Sequence, residues 1–541
     1  MSLLFQPSYT MLKSLYIQAQ NNLDQLIGKN ETVKGWIRTT RKQKDLLFIQ
    51  MYDGSHCVPL QLIFDDKIKQ LRDFIEPFAH AGACLEANGT IVKSPAKGQL
   101  IEMQVINCKI LGPVMEPKTY LPCGKKIPME YPRRMQHVRP KFRLYGSIYR
   151  IRSCLMKTVQ DFFHLTDCFH LDVNTLVSSD AEGAGETLTV TTLLNDGDIL
   201  KIPTLPNSTK IDFKKDIFDN ETPTSLTVSS QLQLEALCSG MGRVYTTNKS
   251  YRAEKSKTKR HLCEFTHIEA EFAFMDLDQL MNYCEDLLTY CIKGLLKDCR
   301  DDLEALNSFY AKGIIQKLES FVKERFARIT YDEAIDLIHK NKNKIKEKFK
   351  EETINGEKGT DGGKNYFPPS LEKNDKSLSS TDLSFSSIAI PKYGDDLGSY
   401  CERFITEDIF KKPVCVHHYP KDMKSFYMKQ CEPYEVKKEN APVEKYQNVK
   451  NFDLIVPYLG ELIGGSEREE NYDKLLEEMK RRKMCIDNYS WYLDLRKNGS
   501  TPSSGFGCGF DRLVTMCTSA REQGNIRDNV TFVVAYQDLK Y

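Results

Sequence analysis

The sequence has no pair of cysteines at CxxC spacing, although seventeen cysteines are spread along its 541 residues. Zinc binding is therefore not expected, and a disulfide framework is not expected in so long a chain. The thiols are expected to be mostly buried and reduced, as in a cytoplasmic protein. No apolar run is long enough to span a bilayer, so no membrane segment is expected. The first residues, MSLLFQPSYTMLKSL, lack the basic segment, apolar core and cleavage site of a secretory signal, and are not Arg-rich like a transit peptide. Neither sign of charge is in excess. With 76 Lys and Arg against 74 Asp and Glu the net charge is +2, so any nucleic-acid surface has to be a local patch. No internal repeat is seen.

What the chain does have is a hairpin rich in both charges. Hydrophobic content of 40% and charge of 28% suit globular domains, and the length implies two or three of them. In YRAEKSKTKRHLCEFTHIEAEFAF, Tyr251–Phe274, the return strand alternates with period two. Phe265, His267, Glu269 and Glu271 share one face; Thr266, Ile268, Ala270, Phe272 and Phe274 share the other. Arg252 and Glu254 end the first strand, and Lys255, Lys257, Lys259, Arg260 and His261 crowd the loop. Cations beside carboxylates suit an anionic ligand such as a nucleoside triphosphate with a bound metal. The same stretch also reads as a solvated charged hairpin.

Residues 1–28 form a helix-leaning extension with no assigned role. Residues 29–111 carry five strand signals, with a helical stretch around Asp66–Ile75 between the third and the fourth. That is the layout of an OB-fold barrel, a platform for single-stranded nucleic acid. Phe48 and Trp36 are aromatic candidates for stacking, with Arg38, Arg41, Lys42 and Lys44 on phosphates; the competing reading puts both rings in the core and is preferred for Trp36. Residues 112–141 are a hinge rich in Pro and basic residues. Residues 142–541 open with a helix over Phe142–Phe163, then a loop with Gly183 and Gly185 beside Glu182. A strand and a helix lead to the hairpin, and Leu277–Lys297 is an amphipathic helix. The 341–390 stretch, dominated by charge, Gly and Ser, is a flexible insertion. Beyond it, KKPVCVHHYPKDMKSFYM reads as two strands, FDLIVPYLGELIGGSERE as two more and NYDKLLEEMKRRKM as a helix. A Gly-rich strand enters a last helix near Gly509. GFGCGFDRL is weak evidence alone, since such a stretch often marks only a tight turn. Glu461 with Asp453 is a possible metal pair, or two surface carboxylates.

Taken together, these stretches resemble one family. Arg252-Ala253-Glu254, the basic loop, Arg260-His261-Leu262 and Glu264-Phe265 resemble motif 2 of class II aminoacyl-tRNA synthetases, and Gly505–Leu513 resembles motif 3. SDAEGAGE, SSQLQLE, GELIGGSEREE and WYLDLRKNGSTPSSGFG, behind a leading OB fold, resemble asparaginyl-tRNA synthetases of the bacterial form. The likeness runs from about Thr32 to the C-terminus, apart from the insertion. It implies an α+β fold: an N-terminal five-stranded OB-fold barrel that binds the anticodon through Arg38 and Phe48, and a catalytic domain on an antiparallel sheet flanked by helices. It implies a cytoplasmic homodimer that joins asparagine to ATP and then to tRNA(Asn).

The resemblance also implies roles. Arg252 binds the amino-acid carboxylate and the α-phosphate, cancelling the repulsion of two anions. Arg260 and His261 hold the outer phosphates, Arg512 and Phe265 sandwich adenine, and Glu254 accepts from its amino group; Leu262 and Gly509 complete the ATP site. Glu461, assisted by Asp453, holds Mg²⁺. Glu182, Gln231 and Glu269 hold the α-ammonium. Aspartyl relatives carry Lys where this chain has Leu234, so the cation an aspartate side chain needs is missing. Glu235 is expected to accept from the amide NH₂ and Arg468 to donate to the amide oxygen; otherwise Glu235 points into solvent. The chain departs from the family at Asn174, where motif 1 has a proline at the dimer interface, and at Asp511, where relatives usually show Glu. An aspartyl-tRNA synthetase is the alternative within the family; a non-catalytic RNA-binding paralogue is the alternative of another class, and the joint presence of Arg252, Glu461 and Arg512 argues against it. Ammonia-using asparagine synthetase resembles the same catalytic fold but has no leading OB domain.

Overall fold

The structure is a computed structural model that describes residues 8–96, 98–117, 120, 129–179, 181, 187–195, 197–218, 222–256, 258–348, 390–436, 444–520 and 524–540. Glu182, Gly183, Gly185 and Lys257, with most of the 341–390 insertion, lie outside the described residues. The chain forms two compact units, Met1–Ile151 with Cys299–Tyr310, and Arg152–Asp298 with Ala311–Tyr541.

In the first unit, α1 (Leu12–Asn21) precedes the strands β1 (Asn30–Gln43), β2 (Leu46–Tyr52) and β3 (Leu60–Phe64), the helix α2 (Lys69–Ile75), and the strands β4 (Cys84–Lys93) and β5 (Ile101–Gly112). The strands close a barrel in the order β1-β2-β3-β5-β4. Alternation makes it: Leu60, Leu62 and Phe64 of β3 are buried and the residues between them are not. On α1, Leu12, Leu15, Tyr16 and Ala19 recur at helical spacing and join the barrel core. The Asp53 carboxylate accepts the Leu12 N–H at 2.8 Å. The leading segment, to which the sequence assigned no role, is thus part of this core. Trp36 corrects a second expectation: it is 38% exposed rather than in the core. Its flanking residues Gly35 and Ile37 take the inward positions.

The second unit begins inside α3 (Arg143–Leu165) and continues through β6 (Phe169–His170), α4 (Gln231–Met241), β7 (Arg243–Tyr251), β8 (Glu264–Ala273) and α5 (Leu277–Asp298). It goes on with β9 (Ala327–Thr330), β10 (Val414–His417), β11 (Asn451–Val456), β12 (Gly460–Glu467), α6 (Ser490–Lys497), β13 (Ser503–Gly509) and α7 (Phe510–Thr518). Eight strands form one sheet in the order β9-β10-β11-β12-β13-β8-β7-β6. Its pairings are antiparallel except at the two edges, where β9 runs parallel to β10 and β6 to β7. On β8, Ile268, Ala270 and Phe272 are buried among apolar neighbours, and the opposite face carries His267, Glu269 and Glu271. Across to β13 these three pair with Gly509, Gly507 and Gly505. These glycines leave room for side chains to lie over the sheet: Glu271 and Arg468 over Gly505, and His267 over Gly507.

Two expectations fail locally. Phe274 lies beyond β8 with φ +63° and is 79% exposed. In KKPVCVHHYPKDMKSFYM only β10 is a strand; His418 at φ +60° ends it, and the rest makes isolated bridges at Pro420 and Met428.

Candidate active site

The functional side chains stand on the open face of the sheet, in two adjoining cavities of the second unit. Arg252, His267, Glu461 and Gly507 line both. Arg252 follows β7 directly. Its N–H donates to the Cys263 carbonyl at 2.9 Å, which keeps the hairpin pinned at the mouth of its loop. The Arg252 guanidinium lies 5.7 Å from the Phe265 ring centroid and 3.9 Å from Glu254 Oε1.

The first cavity collects Glu254, Arg260, His261, Leu262, Phe265, Gly509 and Arg512. Arg512 Nη1 donates to the Glu461 carbonyl at 2.7 Å, which ties the start of α7 to β12. Leu262 packs with Ile526, Val530 and Val533 as an apolar wall. His261 Nδ1 is 2.7 Å from Ser256 Oγ and 2.8 Å from Thr258 Oγ1, and burial pushes its pKa down. A methyl group on Gly460 would stand 2.7 Å from Glu402 Oε2 and 3.0 Å from Arg260 Nη1, so this carboxyl and guanidinium share one corner. Glu402 was not found from sequence; burial, then Glu461 and Asp396, push it up to about 7. Asp511 does not reach toward Arg512. It is buried, bonded to Arg152 Nη1 at 2.5 Å and to the Thr266 N–H at 2.7 Å.

Asp453 and Glu461 face a gap made by Gly464, where a methyl group would be 3.7 Å from Asp453 Oδ1 and 3.1 Å from Glu461 Oε1. Lys424 Nζ is 2.5 Å from Asp453 Oδ2. Burial nevertheless raises Asp453 to about 6, with Lys424 opposing. Among the described residues no group of three or more His, Cys, Asp or Glu could cage a metal. Two carboxylates at a gap suit a cation that takes most of its ligands from phosphates and water, as Mg²⁺ does.

The second cavity holds Gln231, Leu234, Glu269, Glu271 and Arg468. Glu269 accepts the Ser230 N–H at 2.9 Å and the Ser229 hydroxyl. Arg468 donates to both oxygens of Glu271, from Nε at 2.9 Å and Nη2 at 2.8 Å, and to Ser466 Oγ at 2.6 Å. Burial lifts Glu271 to about 7 in spite of that pair. Glu235 is buried rather than in solvent. It takes Gln231 Nε2 at 3.0 Å, the Tyr492 hydroxyl at 2.7 Å and Arg496 Nη2. It therefore reaches the cavity through Gln231 and Arg468. Glu271, Tyr492 and Arg496 were not assigned from sequence, although Tyr492 and Arg496 stand four apart on α6.

In the first unit, Arg38 lies 4.4 Å from the Tyr52 ring and Arg41 5.1 Å from the half-buried Phe48 ring, its cross-strand partner. With Trp36 they give the barrel a basic, aromatic outer face.

Residues 129–535 match the family described as tRNA synthetases class II (D, K and N). The chain belongs to this family. An asparagine–tRNA ligase of Haemophilus influenzae is 36% identical over 516 residues, 95% of this chain and 97% of the relative. One of Borreliella afzelii is 34% identical over 509 residues, 94% and 96% of the two chains. In fold, this synthetase is similar to the crystal structure of asparaginyl-tRNA synthetase from Pyrococcus horikoshii complexed with asparaginyl-adenylate, with a TM-score of 0.72, 24% identity and coverage of 99% and 100%. A putative aspartyl-tRNA synthetase from Leishmania major is also similar, with a TM-score of 0.66 and 16% identity over 99% and 96% of the chains. The matched family region begins after the barrel and holds the whole synthetase sheet.

Proposed function

We propose that the chain is an asparagine–tRNA ligase, which makes asparaginyl-adenylate from asparagine and ATP and transfers asparagine to the 3′ end of tRNA(Asn). The observation that carries this reading is the place of Arg252, on the wall common to the two cavities. An anion in each would meet at this guanidinium. An asparagine carboxylate oxygen forms a bond to the α-phosphorus as the bond from that phosphorus to the bridging oxygen breaks, and pyrophosphate leaves. The nucleophile is already ionised, so no general base is needed; placement and charge do the work. Arg260 and His261 hold the outer phosphates. Arg512 and Phe265 flank adenine, with Leu262 and Gly509 shaping the floor and Glu254 accepting from its amino group. Gln231 and Glu269, with Glu182, take the α-ammonium. Glu461 and Asp453 would hold Mg²⁺, which neutralises phosphate oxygens when bound. In the second step a ribose hydroxyl of the tRNA attacks the carbonyl and AMP leaves.

The second cavity favours an amide. Arg468 is already matched to Glu271, and Leu234 replaces the cation an aspartate needs. For tRNA, Arg38 and Phe48 of the barrel bind the anticodon. The chain works as a cytoplasmic homodimer; exposed Leu165 at the end of α3, with Phe169 and Leu176 after it, offers an apolar surface for the partner.

The test is ATP–pyrophosphate exchange with asparagine and with aspartate. Exchange is expected with asparagine, and Arg252→Ala is expected to lower it by about 100- to 1,000-fold, the effect of removing one transition-state donor. Exchange with aspartate alone, or near-normal exchange in a folded Arg252→Ala protein, would overturn the reading.

A further inference from the structure

Behind the second cavity four charged side chains form a continuous buried chain. Glu271 on β8 pairs with Arg468 at 2.8 Å, Arg468 lies 3.6 Å from Glu235 on α4, and Glu235 bonds to Arg496 on α6. Glu271, Arg468 and Glu235 are 1%, 4% and 4% exposed, and the Arg496 side chain 7%. With both carboxylates ionised, as they are above the value of about 7 to which burial lifts Glu271, two carboxylates and two guanidiniums cancel. Arg496 touches nothing that lines the cavity except through Glu235; its other partners are the Tyr492 hydroxyl at 2.9 Å and the Glu469 carbonyl at 3.1 Å. The family resemblance and the proposed reaction give it no task.

We propose that Arg496 is a positioning residue for asparagine binding: it anchors the Glu235 carboxylate against Arg468 and so completes a side-chain pocket of zero net charge. This rests on the reading of asparagine as the substrate. A neutral amide enters such a pocket without adding charge, whereas aspartate would bring a third carboxylate to two guanidiniums in a water-poor site. Three of the five N–H groups of Arg468 have acceptors in Glu271 and Ser466, which leaves two to donate to an amide oxygen. Gln231 is fixed by the same carboxylate.

Removing Arg496 would leave two carboxylates sharing one guanidinium. The groups facing them are Gln231 from α4, Tyr492 from α6, Cys238 from the end of α4, and Tyr427, whose ring lies 5.3 Å from Arg468. None supplies a replacement cation. As Glu271, which burial already lifts to about 7, ionises, the two carboxylates would outnumber the remaining guanidinium, and that excess negative charge would repel the substrate's own carboxylate.

The experiment measures exchange kinetics of wild type, Arg496→Met, Arg496→Lys and Tyr492→Phe from pH 6 to 8.5. Arg496→Met is expected to raise the KM for asparagine on the order of tenfold or more. That KM should climb with pH, while the KM for ATP stays near wild type. Arg496→Lys should recover most of the loss and bring the profile back to that of wild type. If Arg496→Met does not fold, Arg496→Lys and Tyr492→Phe carry the test, the latter with a smaller rise of the same sign. An unchanged asparagine KM in Arg496→Met, equal losses for asparagine and ATP, or a lysine variant no better than methionine would overturn the proposal. Absence of asparagine-dependent exchange in wild type would instead sink the substrate reading on which it rests.

Discussion

At Gly505 a methyl group would overlap Glu271 Oε2 and the Ala270 carbonyl and stand 2.6 Å from Arg468 Nη2. The strand cannot yield, because β13 is bonded on both sides. The buried pair would have to move. Gly505→Ala is expected to raise the KM for asparagine by about tenfold or more, because the site's polar groups lose their partners, with a smaller effect on ATP; steady-state exchange checks both. A different residue couples the fold to pH. His417 Nδ1 lies 2.6 Å from His418 Nδ1, so one ring donates and the other accepts. Burial, then His418, lower the His417 pKa to about 4. The unfolded chain binds this proton near pH 6.5 and the folded chain only near 4, so its contribution is complete above 6.5 and is lost as pH falls toward 4. Between pH 7 and 5, His417→Asn is expected to lose less stability than wild type in urea titrations.

Among the elements, α1 shows how far local pattern reaches. Leu15 is fully buried in the barrel core, and Leu15→Ala is expected to destabilise the first unit by about 2–5 kcal/mol, read as a shift in its urea midpoint. The helical spacing of that segment was visible in the sequence, but its partner was not. The barrel strands and the hairpin were legible because alternation over a single strand reveals which side chains share a face. For Trp36 a large apolar ring predicts burial, but its position between the inward Gly35 and Ile37 turns it outward. The second strand read after His417 fails because a left-handed residue cannot continue a pleat, a backbone fact that composition conceals. The grouping of residues in the first cavity was equally legible, since much of it lies on one hairpin and one Gly-rich strand. The charge chain was not. Arg496 bonds a partner 261 residues earlier, and Arg468 one 197 residues earlier. Only the sheet order brings these stretches together.

At the scale of the whole molecule, a near-neutral net charge of +2 conceals strong local order of charge. Cationic side chains gather around Arg252 in the first cavity, and behind the neighbouring cavity two carboxylates are paired with two guanidiniums. Connectivity adds a further consequence. The chain leaves the first unit after Ile151, returns for Cys299–Tyr310 and leaves again. Three covalent crossings therefore join two folded bodies. No single proteolytic nick can release either body intact, and any dissection of this protein by truncation at one point would strand a helix whose home is elsewhere.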